Sequence, residues 1–178
     1  MNTENKNKTK RLVYAALCLA LCFLLPFITA QIPEIGKKLC PMHIPVLLCG
    51  FLCSWEYGLA VGLVAPITRS LLFGMPNLYP DAIGMTFELA VYGLVSGILY
   101  RIFPKKIGYY YLNLAISIIC GKIVWGIARF VMAFAGNTQF PITAFFTYGF
   151  INSLPGIILQ FILIPPVVML LSRTGKKE

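Results

Sequence analysis

The sequence has few charged residues, and very few of these are acidic. Asp, Glu, Lys and Arg make up 12% of its 178 residues, whereas a soluble domain carries about 25%. Hydrophobic residues, by contrast, account for 58% of the chain. This composition excludes both an ordinary water-soluble domain and a disordered chain, and it indicates a protein that lies in a membrane.

The shortage of acidic residues leaves a formal net charge of +9, from 15 basic and 6 acidic side chains. In a soluble protein such an excess would suggest nucleic acid as a partner. Here the basic residues cluster between apolar runs, and the sequence has no nucleic-acid-binding motif. We therefore interpret them as anchors on the cytoplasmic side of a membrane, next to lipid, and expect no nucleic-acid partner.

Motifs for catalysis are also missing. The chain has one histidine, His43, and no C-x-x-C, Walker A or G-x-S-x-G motif. Its six cysteines include two pairs spaced by four residues inside apolar runs, Cys18/Cys22 and Cys49/Cys53. Buried cysteine commonly serves as a small apolar residue, so we expect no metal, no cofactor and no enzymatic activity. A membrane thiol oxidoreductase remains an alternative, since it would use such cysteines.

Long apolar runs dominate the rest of the sequence. A membrane-spanning helix needs about 20 residues, and six spans leave room only for short loops. The chain therefore predicts one all-α domain over residues 1–178, an integral membrane bundle of six helices. The first run could be a signal peptide, but it is long and lacks a good cleavage site, so we expect it to be retained. The predicted helices are 12–32, 43–53, 58–73, a fourth that Asp81 would cap and that ends near 100, 109–135 and 142–171.

The distribution of basic residues predicts the orientation of this bundle. Six spans place both termini on one side, together with the loop 101–108. The tails 1–11 and 172–178 and this loop hold ten Lys and Arg residues, whereas the opposite side has only Lys37 and Lys38. Positive residues concentrate in the cytoplasm, so we expect two basic cytoplasmic tails.

Charged residues inside the predicted spans are the first indication of a site. Each costs about 2.5–3.5 kcal/mol at the centre of a bilayer unless it finds a partner. Three cations and one anion favour an anionic or strongly accepting ligand in a cavity open to the outside. The alternative is a set of ion pairs, such as Arg69 with Glu88, that only hold the bundle together. The four residues are Arg69, Glu88, Lys122 and Arg129.

Helical spacing combines these charges with aromatic rings. Lys122, Trp125 and Arg129 share one helix face, and the pairs Glu88/Tyr92 and Tyr148/Asn152 are each one turn apart. Such faces can stack a flat ligand and bind its edges through hydrogen bonds. The predicted substrate-binding residues are Arg69, Glu88, Tyr92, Lys122, Trp125, Arg129, Tyr148 and Asn152.

Four stretches of the first hundred residues resemble the substrate-binding S component of energy-coupling factor (ECF) vitamin transporters. One departure is Ser54-Trp55-Glu56, where many relatives have Gly-Pro before the third helix. Beyond about residue 101 the resemblance extends only to length and hydropathy. The four stretches are Ala16-xxx-Ala20, the run HIPVLLCGFL from His43, the run YGLAVG from Tyr57 and the run FELAVYGLVSG from Phe87.

This resemblance implies a multi-pass protein of the bacterial cell membrane that captures a water-soluble vitamin. It implies partnership with a transmembrane coupling subunit, which would meet Ala16 and Ala20, and with two cytoplasmic ATPases. It also implies that the first outer loop, 33–42, covers the site. We expect pantothenate first, with a pyrimidine precursor of thiamine, riboflavin or a queuosine-type base as alternatives. An autonomous secondary carrier and a structural membrane protein also remain open.

Overall fold

A computed structural model describes residues 3–28, 38–136 and 140–174, with side chains for 8–27, 38–136 and 140–172. This part of the chain is helical and contains no strand, which confirms the predicted all-α class. The helices are α1 Thr3–Ile28, α2 His43–Cys53, α3 Trp55–Phe73, α4 Ile83–Ile102, α5 Ile107–Ala135, α6 Ile142–Phe146 and α7 Leu154–Thr174. One π-helical turn precedes α4 at Leu78–Ala82, and a second follows α6 at Thr147–Ile151.

The six predicted segments correspond to these helices, with differences at their ends; the largest is that α1 begins at Thr3, nine residues before its predicted start and within the predicted tail 1–11. α2 has the predicted bounds, whereas α3 begins three residues earlier, at Trp55. The sixth segment is composite, because α6, a π-helical turn and α7 follow one another. The end of the first segment, beyond residue 28, lies outside the described residues, as does the first half of the predicted covering loop, 33–37.

The prediction that Asp81 caps the fourth helix was wrong. Asp81 lies within the π-helical turn, and Ala82 is the residue that precedes α4, without a side-chain capping bond. The Asp81 carboxylate instead accepts a hydrogen bond from Arg129 on α5. An acidic side chain just before a helix can cap the helix N-terminus or pair with a cation on another helix. Here Asp81 pairs with Arg129.

Four stretches of the described chain are long and apolar enough to cross a membrane. They are Lys8–Phe27, Leu78–Ile102, Ile107–Ala135 and Ile142–Ser172. α2 is apolar too, but its 11 residues extend only about 16 Å at the rise of an α-helix, roughly half of a bilayer's hydrocarbon thickness. The fold is thus a membrane bundle in which one short helix is enclosed by longer ones.

Glycines allow α4 to lie at the centre of this bundle, against α2, α3 and α5. Gly58 on α3 and Gly93 on α4 face each other, and a Cβ added to Gly58 would lie 2.6 Å from the Gly93 carbonyl oxygen. Gly62 approaches the Leu89 backbone in the same way. Small residues at such crossings let two helix backbones come into van der Waals contact. This close packing stabilises the bundle in lipid, where the hydrophobic effect does not drive helices together.

The close crossing of α3 and α4 predicts that adding a single methyl group there lowers the stability of the protein. Gly58→Ala should destabilise the protein by about 1–3 kcal/mol, because the added methyl group meets backbone that cannot move aside. Heating in detergent, followed by measurement of the remaining monodisperse protein, would show the lower midpoint. Gly108→Ala is the matched control, since a Cβ there has no neighbour within 4 Å. Equal midpoints for the two variants would contradict the packing argument.

Candidate functional site

The Glu88 carboxylate is the centre of a buried polar cluster. Glu88 is only 2% exposed, and three side chains converge on its Oε1 atom. Lys122 Nζ lies 2.7 Å away, the Tyr92 hydroxyl donates a hydrogen bond at 3.0 Å, and His43 Nε2 lies 3.4 Å away. We call these four residues the carboxylate cluster. It satisfies a charge that would otherwise be costly at this depth.

Three helices bring this cluster together. Glu88 and Tyr92 occupy successive turns of α4, Lys122 comes from α5, and His43 is the first residue of α2. Gly121 makes the approach of α5 possible, because a side chain there would overlap the Tyr92 ring. The predicted one-turn pairing of a carboxylate with a tyrosine is therefore present, within a site that also draws on α2.

His43 is a member of the site that sequence reasoning did not assign. Its ring is buried and meets Tyr92 edge-on, with centroids 5.4 Å apart. Neither ring nitrogen makes a hydrogen bond among the described residues, although Nε2 lies 3.4 Å from Glu88 Oε1. The available signal was weak: a single histidine at the start of an apolar run. Only the packing of α2 on α4 shows which carboxylate it meets.

The rings of Trp125, Phe140 and Phe145 lie next to the carboxylate cluster, and we call them the aromatic wall. The Trp125 ring lies 6.0 Å from that of Phe140 and is stacked 6.3 Å from that of Phe145. Gly84 and Gly149 make room on either side, since a Cβ at each would lie 3.4 Å from the indole. Lys122 Nζ is 5.8 Å from the Trp125 centroid, so one ammonium group borders both the wall and Glu88.

Arg129 extends the wall toward the surface. Its guanidinium lies 3.3 Å from Asp81 Oδ1 and within 6 Å of the ring centroids of Trp125 and Phe140. The Arg129 side chain is 19% exposed, compared with 5% for Lys122. The predicted face of Lys122, Trp125 and Arg129 thus leads from the buried cluster to a more accessible edge.

The structure places Arg69 away from these residues. Its Nη1 donates to the Phe23 carbonyl at 2.9 Å, and its guanidinium lies over the rings of Phe27 and Phe73. The ion pair weighed between Arg69 and Glu88 does not form, since Glu88 pairs with Lys122 instead. The contacts of Arg69 therefore hold α1 to α3.

Tyr148 and Asn152 stand at the edge of the site. Tyr148 lies in the second π-helical turn and is 59% exposed, and Asn152 is partly buried. Neither side chain has a hydrogen bond within the part of the chain that the structure describes. Gly149, between them, contacts Trp125, so this turn is adjacent to the wall.

The charge balance of the site differs from the sequence count of three cations and one anion. Two ion pairs, Glu88 with Lys122 and Asp81 with Arg129, leave no excess of cations, because Arg69 is elsewhere. The arrangement offers donors, acceptors and a flat aromatic face. Residues 3–28, 38–136 and 140–174 contain no group of three metal-ligating side chains.

Comparison with protein families decides the class of protein. The model of the family "ECF transporter, substrate-specific component" matches residues 10–168. The chain belongs to this family. Comparison with curated proteins and with solved structures finds no match.

Membership confirms the resemblance seen in the sequence. ECF substrate-specific components are membrane-embedded, substrate-binding subunits of transporters rather than enzymes, and they work with a coupling subunit and ATPases. In this family member, Ala16 and Ala20 lie on an exposed part of α1. The chain is therefore a substrate-binding subunit of a transporter.

The carboxylate cluster predicts strong coupling between two substitutions. Glu88→Gln leaves the Lys122 ammonium buried without its counter-charge, and Lys122→Met leaves the Glu88 carboxylate without its ammonium partner. Each should destabilise the protein by about 3–5 kcal/mol, whereas the double variant should lose less than the sum.

Thermal or denaturant unfolding in detergent would measure this cycle. Glu56→Gln is the control, because the Glu56–Arg101 pair is about half exposed at 3.8 Å and such pairs contribute at most about 1 kcal/mol. Additive losses for Glu88 and Lys122 would show that the two side chains do not depend on each other.

Proposed function

We propose that this chain captures a small, flat, heteroaromatic micronutrient for import across a bacterial cell membrane. One observation carries the proposal: the buried Glu88–Lys122 pair borders the Trp125 wall, with Lys122 Nζ 5.8 Å from the indole centroid. A stacking face beside groups that donate and accept hydrogen bonds is the arrangement that binds a planar ring by its face and its edges.

The balance of charge favours some of the predicted vitamins over others. Pantothenate was expected because unpaired cations would attract its carboxylate. Since Lys122 and Arg129 each have a carboxylate partner, an anionic ligand would have to displace one of them. A pyrimidine precursor of thiamine, riboflavin or a queuosine-type base can instead exchange hydrogen bonds with Glu88 and stack on Trp125 without bringing a carboxylate into the site. We therefore place this heteroaromatic class first.

The route of import follows from the family and the basic tails. We propose that both termini are cytoplasmic, that the site opens to the outside, and that the energy comes from two ATPases through the coupling subunit. Ala16 and Ala20 support this assignment, because two small exposed residues one turn apart allow a helix of another protein to approach closely. An autonomous carrier would need no such surface.

Identification of the bound molecule tests the proposed substrate class. Protein purified in mild detergent without added ligand, then denatured and analysed by mass spectrometry, should release a heteroaromatic compound. The Trp125→Leu variant should bind this compound at least about fivefold more weakly and retain correspondingly less of it, since stacking on one aromatic side chain contributes about 1–3 kcal/mol. Phe134→Leu, an 81% exposed position on the same helix, is the control.

A protein that releases pantothenate would overturn the substrate class while leaving the transport function intact. If the purified protein is empty, titration with a panel of vitamins, followed by thermal shift, replaces the first readout. The proposal then fails if none of the heteroaromatic vitamins raises the unfolding midpoint of the parent protein.

The coupling surface predicts a separation of binding from uptake. Ala16→Leu and Ala20→Leu should leave ligand affinity unchanged and reduce cellular uptake at least tenfold, because the larger side chains keep the coupling helix away. Ala60→Leu, an exposed alanine on α3, should affect neither. Uptake that persists in cells lacking the ATPases would favour an autonomous carrier and contradict the assignment.

A further inference from the structure

A cavity lies at the other end of α4 from the aromatic wall. It has a volume of about 160 Å³ and is lined by residues of α1, the end of α2, the end of α4 and the loop after it. Arg101, on its wall, follows Glu88 by 13 residues, which is about 20 Å along a helix. The cavity is therefore separate from the candidate substrate site.

Three cations from three segments line this cavity: Arg11, Arg101 and Lys105. Arg11 has no ion pair among the residues that the structure describes. Arg101 donates to Ser54 Oγ at 2.9 Å and lies 3.8 Å from Glu56. Glu56 does not line the cavity, so the three lining cations give it a net positive charge.

Lys105 is held in position by an aromatic ring. Its ammonium lies 3.2 Å from the Tyr100 ring centroid and donates a hydrogen bond to the Tyr100 carbonyl oxygen. Burial lowers the pKa of Lys105 below its ordinary value. An anion in the cavity would stabilise the charged form of Lys105, and the Lys105 ammonium would in turn hold the anion.

The start of α3 adds to this positive field. Ser54, on the cavity wall, precedes the 19-residue helix with φ 127°, and its side chain makes no capping hydrogen bond to the helix. The first N–H groups of an uncapped helix carry a partial positive charge and bind anions. Glu56, in the first turn of this helix, offsets part of that charge, so the three side-chain cations remain the main source of positive charge in the cavity.

The surroundings of the cavity indicate the kind of anion. Leu12, next to Arg11, is 59% exposed, and Ile102, next to Arg101, is 68% exposed. An anionic head between the cations and apolar chains along these side chains would satisfy both surfaces. A free phosphate ion would contact only the cations and leave the apolar side chains uncovered.

We propose that this cavity binds the phosphate of an anionic phospholipid, with the acyl chains lying along α1 and α4. Basic pockets at the ends of membrane helices suit such headgroups. The cations attract the phosphate while the apolar stems of Lys and Arg lie against the acyl chains. A bound lipid would link three helices at the basic end of the bundle. This inference is independent of the substrate assigned to the other site.

Native mass spectrometry of the full chain would test it. After detergent extraction and delipidation, phosphatidylglycerol should bind at least fivefold more than phosphatidylcholine of the same chain length. The variant Arg11→Gln/Lys105→Gln should lose this preference, while it keeps the Arg101–Ser54 bond. Lys38→Gln/Lys106→Gln removes the same charge from residues that do not line the cavity and should behave like the parent.

Four outcomes would overturn the proposal. Equal binding of the two lipids by the parent protein excludes a headgroup site and does not depend on any variant being folded. Equal loss in both double variants means that only overall charge matters. Displacement of phosphatidylglycerol by inorganic phosphate at millimolar concentration assigns the cavity to a soluble anion. Unchanged lipid binding with weaker capture of the coupling subunit by Arg11→Gln/Lys105→Gln assigns it to a protein partner.

Discussion

The contact between Glu88 and Lys122 constrains much of what surrounds it. Both side chains are almost fully buried, and neither could remain charged there without the other. Since they come from neighbouring helices, the contact determines how α4 and α5 lie relative to each other. His43 and Tyr92 then complete the environment of the same oxygen atom, and through His43 the short α2 takes part.

Close backbone packing is what brings these polar groups within reach. The glycines of α3 and α4 let the two helices meet at Gly58 and Gly93, and Gly121 allows α5 to approach the Tyr92 ring. With larger residues the helices would stand apart, and Glu88 would have to find its partners across a wider gap. The small residues therefore serve the site as well as the stability of the bundle.

Membership in the ECF substrate-specific components agrees with an arrangement in which binding and energy supply are divided. The site combines a paired carboxylate and ammonium with an aromatic face, and this suits recognition more than chemistry. A paired site also explains how the protein can hold charges in a membrane before a ligand arrives. A ligand that exchanges hydrogen bonds with the pair leaves its charge balance intact.

The sequence by itself determined the all-α membrane class, the family, and the positions of the second to fifth helices within a few residues, whereas the start of α1 and the break between α6 and α7 were missed. The features that it determined follow from hydropathy and from short local motifs, which depend only on neighbours in the chain. It also identified Glu88, Tyr92, Lys122, Trp125 and Arg129 as a connected set, because helical spacing places side chains on one face.

Only the tertiary structure decided which charges meet. Arg69 carries the same charge as Lys122 and lies at a plausible depth, yet it contacts the carbonyl of Phe23 and two rings, whereas Lys122 meets Glu88. His43 and Asp81 joined the site for the same reason. The rotation and crossing of packed helices set these pairings, and no local pattern encodes them, because each partner is supplied by a different segment of the chain.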